Sequence, residues 1–558
     1  MSMRFLPAGD GAVLLELPDL AHTLALHRAL SAQPLPGVCE VVPAARTLLV
    51  YYDRQALVAL PELMAALRTR AAQVAAGGQA YAGAPGRLVE IPVRYDGADL
   101  PEVAELLGIS VAEVMERHTA QPWQAAFAGF APGFVYLTGG HPCFQLPRRA
   151  SPRVRVPAGS VALAGDFSAV YPGASPGGWQ LIGVTEVPMW DLQRAEPAYV
   201  QPGFRVQFRN ACSAGRHISL PGLPSRTAQG AGDVENAQDF ESKTPQTQYQ
   251  KAIAAIEIVA TGLQTLVQDA GRHGLAGLGV SPSGALDAPA MRLANRLVGN
   301  PVDQAVLESL LGGLQLRSQG RTTLAVTGAR VALTLQAADG RQWPVASHTA
   351  LALDDGDLLS VAAPEAGVRS YVAVRGGWQV APVLGSCASD TLAQIGPPAL
   401  QAGQRLAVGA GVPQQALRAV QEPAPASALP NWPRAGDAVV LDVLLGPRTD
   451  WFTPEALALL QEQDWLVTPR SSRVGMRLHG QQPLARSRPQ ELPSEGTVTG
   501  AIQVPADGQP VLFLADHPLT GGYPVIAVVA SHHLALAAQT PVGCRLRLRV
   551  IAPFAPAA

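Results

Sequence analysis

The sequence predicts a mainly β protein with a small α/β region at its N-terminus. Glycine and proline are abundant, 55 and 49 of 558 residues. They recur every few residues between short apolar runs, the spacing of strands joined by tight turns. Residues 123–183 show this most densely, with WQAAFAGFAPGFVYLTGG, LPRRASPRVRVPAGSVALAGDFSAVYP and GASPGGWQLIG in succession. Helical spacing of apolar residues is clearest in 60–76.

Taken in order, residues 4–17 read as a hairpin around PAGDG, 21–30 as a helix, 41–52 as a strand pair and 60–76 as a second helix. Together they make an α/β unit over 1–86. A strand at 87–95 opens a barrel spanning 87–215. Two short helices follow with capping-box patterns, Asp99-x-x-Glu102 and Ser110-x-x-Glu113, the second ending at His118. The polar stretch 222–250, within 216–252, reads as a flexible linker with a reach of roughly 30 Å. Beyond it, Asp287 caps a helix with Pro289 in its first turn and Gly299-Asn300-Pro301 at its end; Thr453 caps another, followed by Pro454. The Ala/Pro-rich segment 414–436 separates two β-rich lobes, 253–415 and 416–558.

Length alone predicts three or four domains. The 41 basic and 43 acidic residues leave no cationic excess for nucleic acid. Lysine occurs only at 243 and 251, so a Walker loop, Schiff-base chemistry, lysine-dependent amidases and a biotin attachment site all lack their residue. The five cysteines are scattered, with no Cys-x-x-Cys pair, which argues for a reducing compartment and against structural zinc. No signal peptide is apparent at the N-terminus, and no run approaches the ~18 apolar residues of a membrane span. These features predict a cytoplasmic protein with no membrane partner.

Several residues carry candidate chemistry. Arg148, Arg149, Arg153 and Arg155 fall between two presumed strands, near the Gly177-Gly178 turn. Guanidinium groups and glycine amides at one rim suit a phosphate or carboxylate. Gln180 and Gln503 each set an amide beside a turn in an apolar strand, where it can both donate to and accept from a lactam. Thr520-Gly521-Gly522-Tyr523 either presents backbone amides to an anion or forms a hairpin. Asp269, Glu308, Asp390, Asp450, Glu495 and Asp516 are candidate ligands for Mg2+ on a nucleotide, with no metal set assigned. Gly173–Gly177 matches Gly-x-Ser-x-Gly as a string. Pro176, however, lacks the N–H that a nucleophile elbow requires, so Ser175 is a turn residue or ligand contact. The adjacent His532 and His533 are expected to point two ways, and no His-Glu-x-x-His occurs.

GFAPGFVYL, PRRASPRVRVPAGSVALAG and YPGASPGGWQLIG resemble the B subunit of ATP-dependent 5-oxoprolinase, also called allophanate hydrolase subunit 1 or the KipI-like carboxyltransferase C/D domain. From 256 onward, Gln268-Asp269, Gly271-Arg272, Ser283-Gly284, Glu308, Val374-Arg375-Gly376-Gly377 and the blocks 471–480, 495–527 and 541–548 resemble the C subunit, the KipA-like carboxyltransferase A/B domain. Cys387 stands where many members have arginine. The resemblance implies cyclophilin-like β-barrels in both modules and a fusion of two subunits. It further implies ATP-dependent opening of 5-oxoproline with a separate A-type subunit, ATP and Mg2+ as cofactors, and no biotin on this chain. Candidate catalytic residues are then His118, where the family also has a histidine, Arg149, Gln180 and Gln503. Candidate substrate or nucleotide contacts are Arg148, Arg153, Ser175, Gly177, Gly178, Ser283, Arg375, Ser472 and the turn Thr520, Gly521, Gly522, Tyr523. One lactam and one nucleotide are expected between the modules, with Arg149 on one side and Gln503 on the other. The rival readings are the carboxyltransferase part of a biotin-dependent urea carboxylase and a KipI/KipA-like regulator of a histidine kinase. Self-association is left open.

Overall fold

A computed structural model describes residues 3–54, 60–76, 86–149, 151, 153–211, 254–409, 411–417, 420 and 430–552. The expected linker 222–250, both lysines and Cys212 lie outside the described residues.

The N-terminal unit is an antiparallel sheet in the order Arg4–Pro7, Ala12–Glu16, Thr47–Tyr52, Val38–Pro43, with helices Leu20–Ala32 and Leu60–Ala76. Asp19 caps the first helix through the His22 N–H at 2.9 Å. Side chains alternate across the sheet. Phe5, Val13, Leu15, Leu48 and Val50 face the helices. Leu6, Ala12, Leu14 and Leu49 face outward and pack on Val498, Val511, Phe513, Val525 and Val528 of the last barrel. A sheet apolar on both faces needs two covers, and here the second cover comes from the far end of the chain.

The first barrel orders its strands Gln180–Val184, Ser160–Ala164, Phe167–Val170, Val135–Thr138, Trp123–Ala128, Arg205–Asn210, Leu88–Val93. A bridge between Arg94 and Val184, with both N–H···O contacts at 2.9 Å, all but closes it. Residues 254–409 form a six-stranded and a five-stranded sheet that share one core, with helix Ala288–Val298 packed on the five-stranded sheet. Asp287 and Thr453 cap their helices through the N–H groups of Ala290 and Ala456. The last lobe is a closed barrel in the order Ala438–Leu445, Val525–Val529, Ala501–Gln503, Val511–Phe513, Gly475–His479, Trp465–Val467, Arg545–Ala552.

The two barrels share one topology. In each the first strand runs parallel to the last, Leu88–Val93 beside Arg205–Asn210 and Ala438–Leu445 beside Arg545–Ala552. Each carries a two-stranded arm, Arg153–Val156 with Ser175–Gly177 and Glu495–Gly496 with Thr520–Gly521. In each, an indole N–H donates to the carbonyl five residues earlier, Trp123 to His118 at 3.1 Å and Trp465 to Leu460 at 3.0 Å. After each first strand the chain donates twice to the matching strand: Gly97 and Asp99 to Ile182 and Leu181, Gly446 and Arg448 to Ile526 and Val525. Asp99 and Arg448 therefore occupy equivalent places.

The four described cysteines are unpaired. No helix among the described residues is long and apolar enough to cross a membrane.

Candidate functional site

A cleft of about 530 Å3 opens between the two lobes of the second module, a volume suited to a small-molecule ligand. One wall is apolar, with Leu263, Leu310, Val368, Met476 and Leu514, while Thr391, Ser472, Arg369 and Arg473 supply polar groups. Behind it lies a buried ionic network. The Arg473 guanidinium pairs with Glu308 and Asp516, the latter at 3.0 Å, and donates to the Gly284 carbonyl at 2.6 Å. Asp516 also accepts from the Ser283 hydroxyl at 2.7 Å and from the N–H and hydroxyl of Thr391 at 2.9 and 2.7 Å. Ser283 sits at φ 55°, a conformation that side chains other than glycine adopt only at a cost, and it turns its hydroxyl onto the carboxylate. Burial opposes charge on both Arg473 and Asp516, yet their attraction wins: the arginine is raised and the aspartate held below the usual range.

Asp390 stands beside this pair. Burial, with Asp516 next to it, pushes its carboxyl up to about 7. Between about pH 4 and 7 the folded chain therefore holds a proton that the unfolded chain has lost. Stability from this group is present at low pH and drains away as pH rises through that window. Asp390 Oδ1 accepts from the N–H groups of Leu392 and Ala393 at 2.9 and 2.8 Å, and an asparagine oxygen keeps both bonds. Asp390→Asn should match the parent near pH 4 and melt above it at pH 8, by calorimetry across pH. Equal melting temperatures at pH 8 would refute this.

Of the six candidate carboxylates, Asp269, Glu308, Asp390 and Asp516 belong to this junction. Their oxygens are committed: Asp269 accepts from Gly271 and Cys387 N–H and the Ser386 hydroxyl, and Glu308 from Leu286 N–H and the Tyr371 hydroxyl as well as Arg473. Each of the four thus already accepts protein hydrogen bonds, and Arg473 neutralises two of them, so the set does not fit a Mg2+ ion, which is held by one or two uncommitted carboxylates. Glu495 pairs instead with Arg448, and Asp450 with Arg4 and Arg488.

The other sequence candidates fall in two further places. On the rim of the first barrel, Asp99 is 2% exposed and gathers Arg149 at 2.7 Å, Arg153 at 2.6 Å and the Leu181 N–H at 2.7 Å. It was expected to cap its helix and makes no side-chain cap bond, because the two guanidinium groups claim the carboxylate. Arg149 also reaches Glu102 at 3.3 Å, and its N–H donates to Gly178. Gln180 donates to Pro147 at 3.3 Å, while its carbonyl oxygen, Arg149 Nε and Arg153 Nη1 are buried without partners. Ser175 and Gly177 form the arm beside this rim, with no helix after them.

The module interface holds the second group. Arg148 donates through its N–H to Glu491 at 2.8 Å and through its guanidinium to Leu492 and Gly522 carbonyls. Tyr136 bonds Ser494 at 2.8 Å, and Tyr51 donates to Thr497 at 3.1 Å. Gly129 lies so close to Thr520 that an added Cβ would sit 2.5 Å from its hydroxyl. Gln503 donates to Tyr523 at 3.1 Å behind the Gly521 turn. Arg149 and Gln503 each bond within their own module, and Arg148 is the member of the arginine cluster that reaches across.

His118 is fully buried, between the Tyr95 hydroxyl at 2.8 Å and Ser168 at 3.0 Å, and burial pushes it down to about 3. It occupies the place of Leu460 in the second barrel. Arg375 donates to Val298 at 3.1 Å, closing the end of helix Ala288–Val298. His532 and His533 converge on Asp442, since they lie on a 3-10 turn rather than a regular element. Asp442 is paired with Arg549 at 2.6 Å, and its own N–H donates to His533 Nδ1 at 2.8 Å, so these three do not offer a free ligand set. Asp99, Arg448 and Arg473 were missed as sequence candidates. Arg473 carried no distinct signal, since Arg470 and Arg477 flank it at similar spacing.

Residues 3–200 match the carboxyltransferase domain, subdomain C and D, and residues 278–550 match subdomain A and B. The C subunit of 5-oxoprolinase from Escherichia coli K12 is 36% identical over 291 residues, 52% of this chain and 88% of that protein. The B subunit of 5-oxoprolinase from Escherichia coli O157:H7 is 38% identical over 208 residues, 36% of this chain and 92% of that protein. The urea amidolyase of Saccharomyces cerevisiae is 32% identical over 53% of this chain but only 16% of its own length. The crystal structure of TTHA0988 superposes with a TM-score of 0.75 at 34% identity, covering 96% of this chain and 99% of that one. The chain belongs to the family of the B and C subunits of 5-oxoprolinase, and it joins the C/D and A/B carboxyltransferase subdomains in one polypeptide.

Proposed function

We propose that the chain is the fused B/C component of an ATP-dependent 5-oxoprolinase, acting with a separate A-type subunit in the cytoplasm. What supports the reading is that one polypeptide carries near full-length counterparts of both subunits, matching 92% of a B subunit and 88% of a C subunit. They dock here through the bonds of Arg148, Tyr136 and Tyr51. The chemical problem is an unstrained lactam whose carbonyl is a poor electrophile at neutral pH. Phosphorylation of the carbonyl oxygen by ATP releases ADP and activates the carbon toward water; water adds, the ring C–N bond breaks with a proton going to nitrogen, and a second water releases phosphate to leave glutamate. Such a step depends on positioning and charge more than on a nucleophilic side chain. The cleft beside Arg369, Thr391 and Ser472 is the proposed small-molecule site. ATP hydrolysis by the chain mixed with an A-type subunit should rise on adding 5-oxoproline; a rate indifferent to it would count against the reading.

A further inference from the structure

Between the N-terminal unit and the last barrel lies a cavity of about 120 Å3, set apart from the cleft. Thr47 and Trp451 line it, 1% and 7% exposed, and Arg46 and Arg488 line it as exposed residues, so they mark its solvent side. Thr47 Oγ1 and Trp451 Nε1 are both buried with no hydrogen-bond partner. An indole N–H only donates, so it calls for an acceptor that the protein does not supply.

The surrounding charges do not cancel. Arg448 is held by Glu16 at 2.8 Å and by Glu495. Arg4 pairs with Glu16 at 3.0 Å and with Asp450 at 3.6 Å, and Arg488 with Asp450 at 3.0 Å. Three carboxylates thus meet Arg4, Arg448 and Arg488. Arg46, the fourth guanidinium, adds its charge near the already paired Glu16 and makes no salt bridge within 4 Å among the described residues. Asp450 Oδ1 also lacks a partner, but Asp450 does not line the cavity.

We propose that this cavity binds one small oxyanion, inorganic phosphate or the carboxylate of a small acid, through Thr47, Trp451 and Arg46. An oxyanion presents several acceptor oxygens, answers both orphan donors at once and balances the surplus positive charge. The volume is too small for a nucleoside. Arg46 and Thr47 belong to the first module, and Trp451, Arg448 and Arg488 to the second, so the bound anion ties the modules together.

The test uses the full chain in chloride buffer at fixed ionic strength, titrated with inorganic phosphate or with acetate by calorimetry and thermal melting. One anion per chain should bind, and the anion that does so identifies the source. Binding should weaken at least tenfold in Thr47→Val/Trp451→Phe and in Arg46→Gln, whose exposed position leaves folding untouched. In chloride Thr47→Val alone should melt no lower than the parent, because an unpartnered buried hydroxyl has become an apolar group of the same shape. The proposal is overturned if neither anion binds, if the variants bind as the parent does, or if Thr47→Val alone melts well below the parent in chloride, which marks structural water in the cavity.

Discussion

Arg473→Met should cost the chain about 3–5 kcal/mol, the range for breaking a buried ion pair by removing one partner. The guanidinium is 4% exposed on its side chain and lies between Glu308 and Asp516, which are 4% and 0% exposed. Without it two carboxylates remain in a closed interior, with Arg369 at 3.7 Å from Glu308 the nearest compensating charge. Methionine fills the space but answers neither. Denaturant unfolding of the full chain measures the loss. Adding Glu308→Gln and Asp516→Asn to Arg473→Met should recover part of it, because the desolvation cost of the carboxylates goes with their charges. An Arg473→Met chain that unfolds with its parent would mean that the lobes do not close on this network in solution.

Ser472→Trp should lower 5-oxoproline-dependent ATP hydrolysis at least about a hundredfold, since misplacing a reactant by an ångström already costs on that order. Ser472 lies exposed on the lining of the 530 Å3 cleft, so an indole there enters the cleft without displacing core side chains. The melting temperature should stay at the parent value. Retained activity would move the reaction elsewhere, most directly to the rim of the first barrel, where Arg149, Arg153 and Gln180 keep unpartnered atoms.

Most elements were legible because Gly and Pro punctuate them and because Asp19, Ser110, Asp287 and Thr453 cap as their type predicts. Partners across the chain were not. The runs FLP and AVLLE are apolar at successive positions, which marks a sheet covered on both faces. Nothing local says that the second cover is a barrel some 450 residues later. The repeat of one barrel topology was hidden by its own charge reversal. Asp99 meets Arg153 in the first barrel, and Arg448 meets Glu495 at the equivalent place in the second. Arg153 and Glu495 each pair with the first glycine of a Gly-Gly step, Gly177 and Gly521. Arg149, expected to grip a ligand, also has a counter-ion that no stretch of sequence shows, because folding brings Asp99 to it. His118 carried no sign of burial either, because a helix-end histidine reads as a surface residue until the barrel closes over it.

The decisive experiment on the 5-oxoprolinase reading follows the fate of labelled 5-oxoproline with this chain, an A-type subunit and ATP. Glutamate and ADP should form together in the mixture, in equal amounts, and neither protein alone should produce glutamate. Carboxyl transfer from carboxybiotin to urea by this chain, with no glutamate formed from 5-oxoproline, would contradict it.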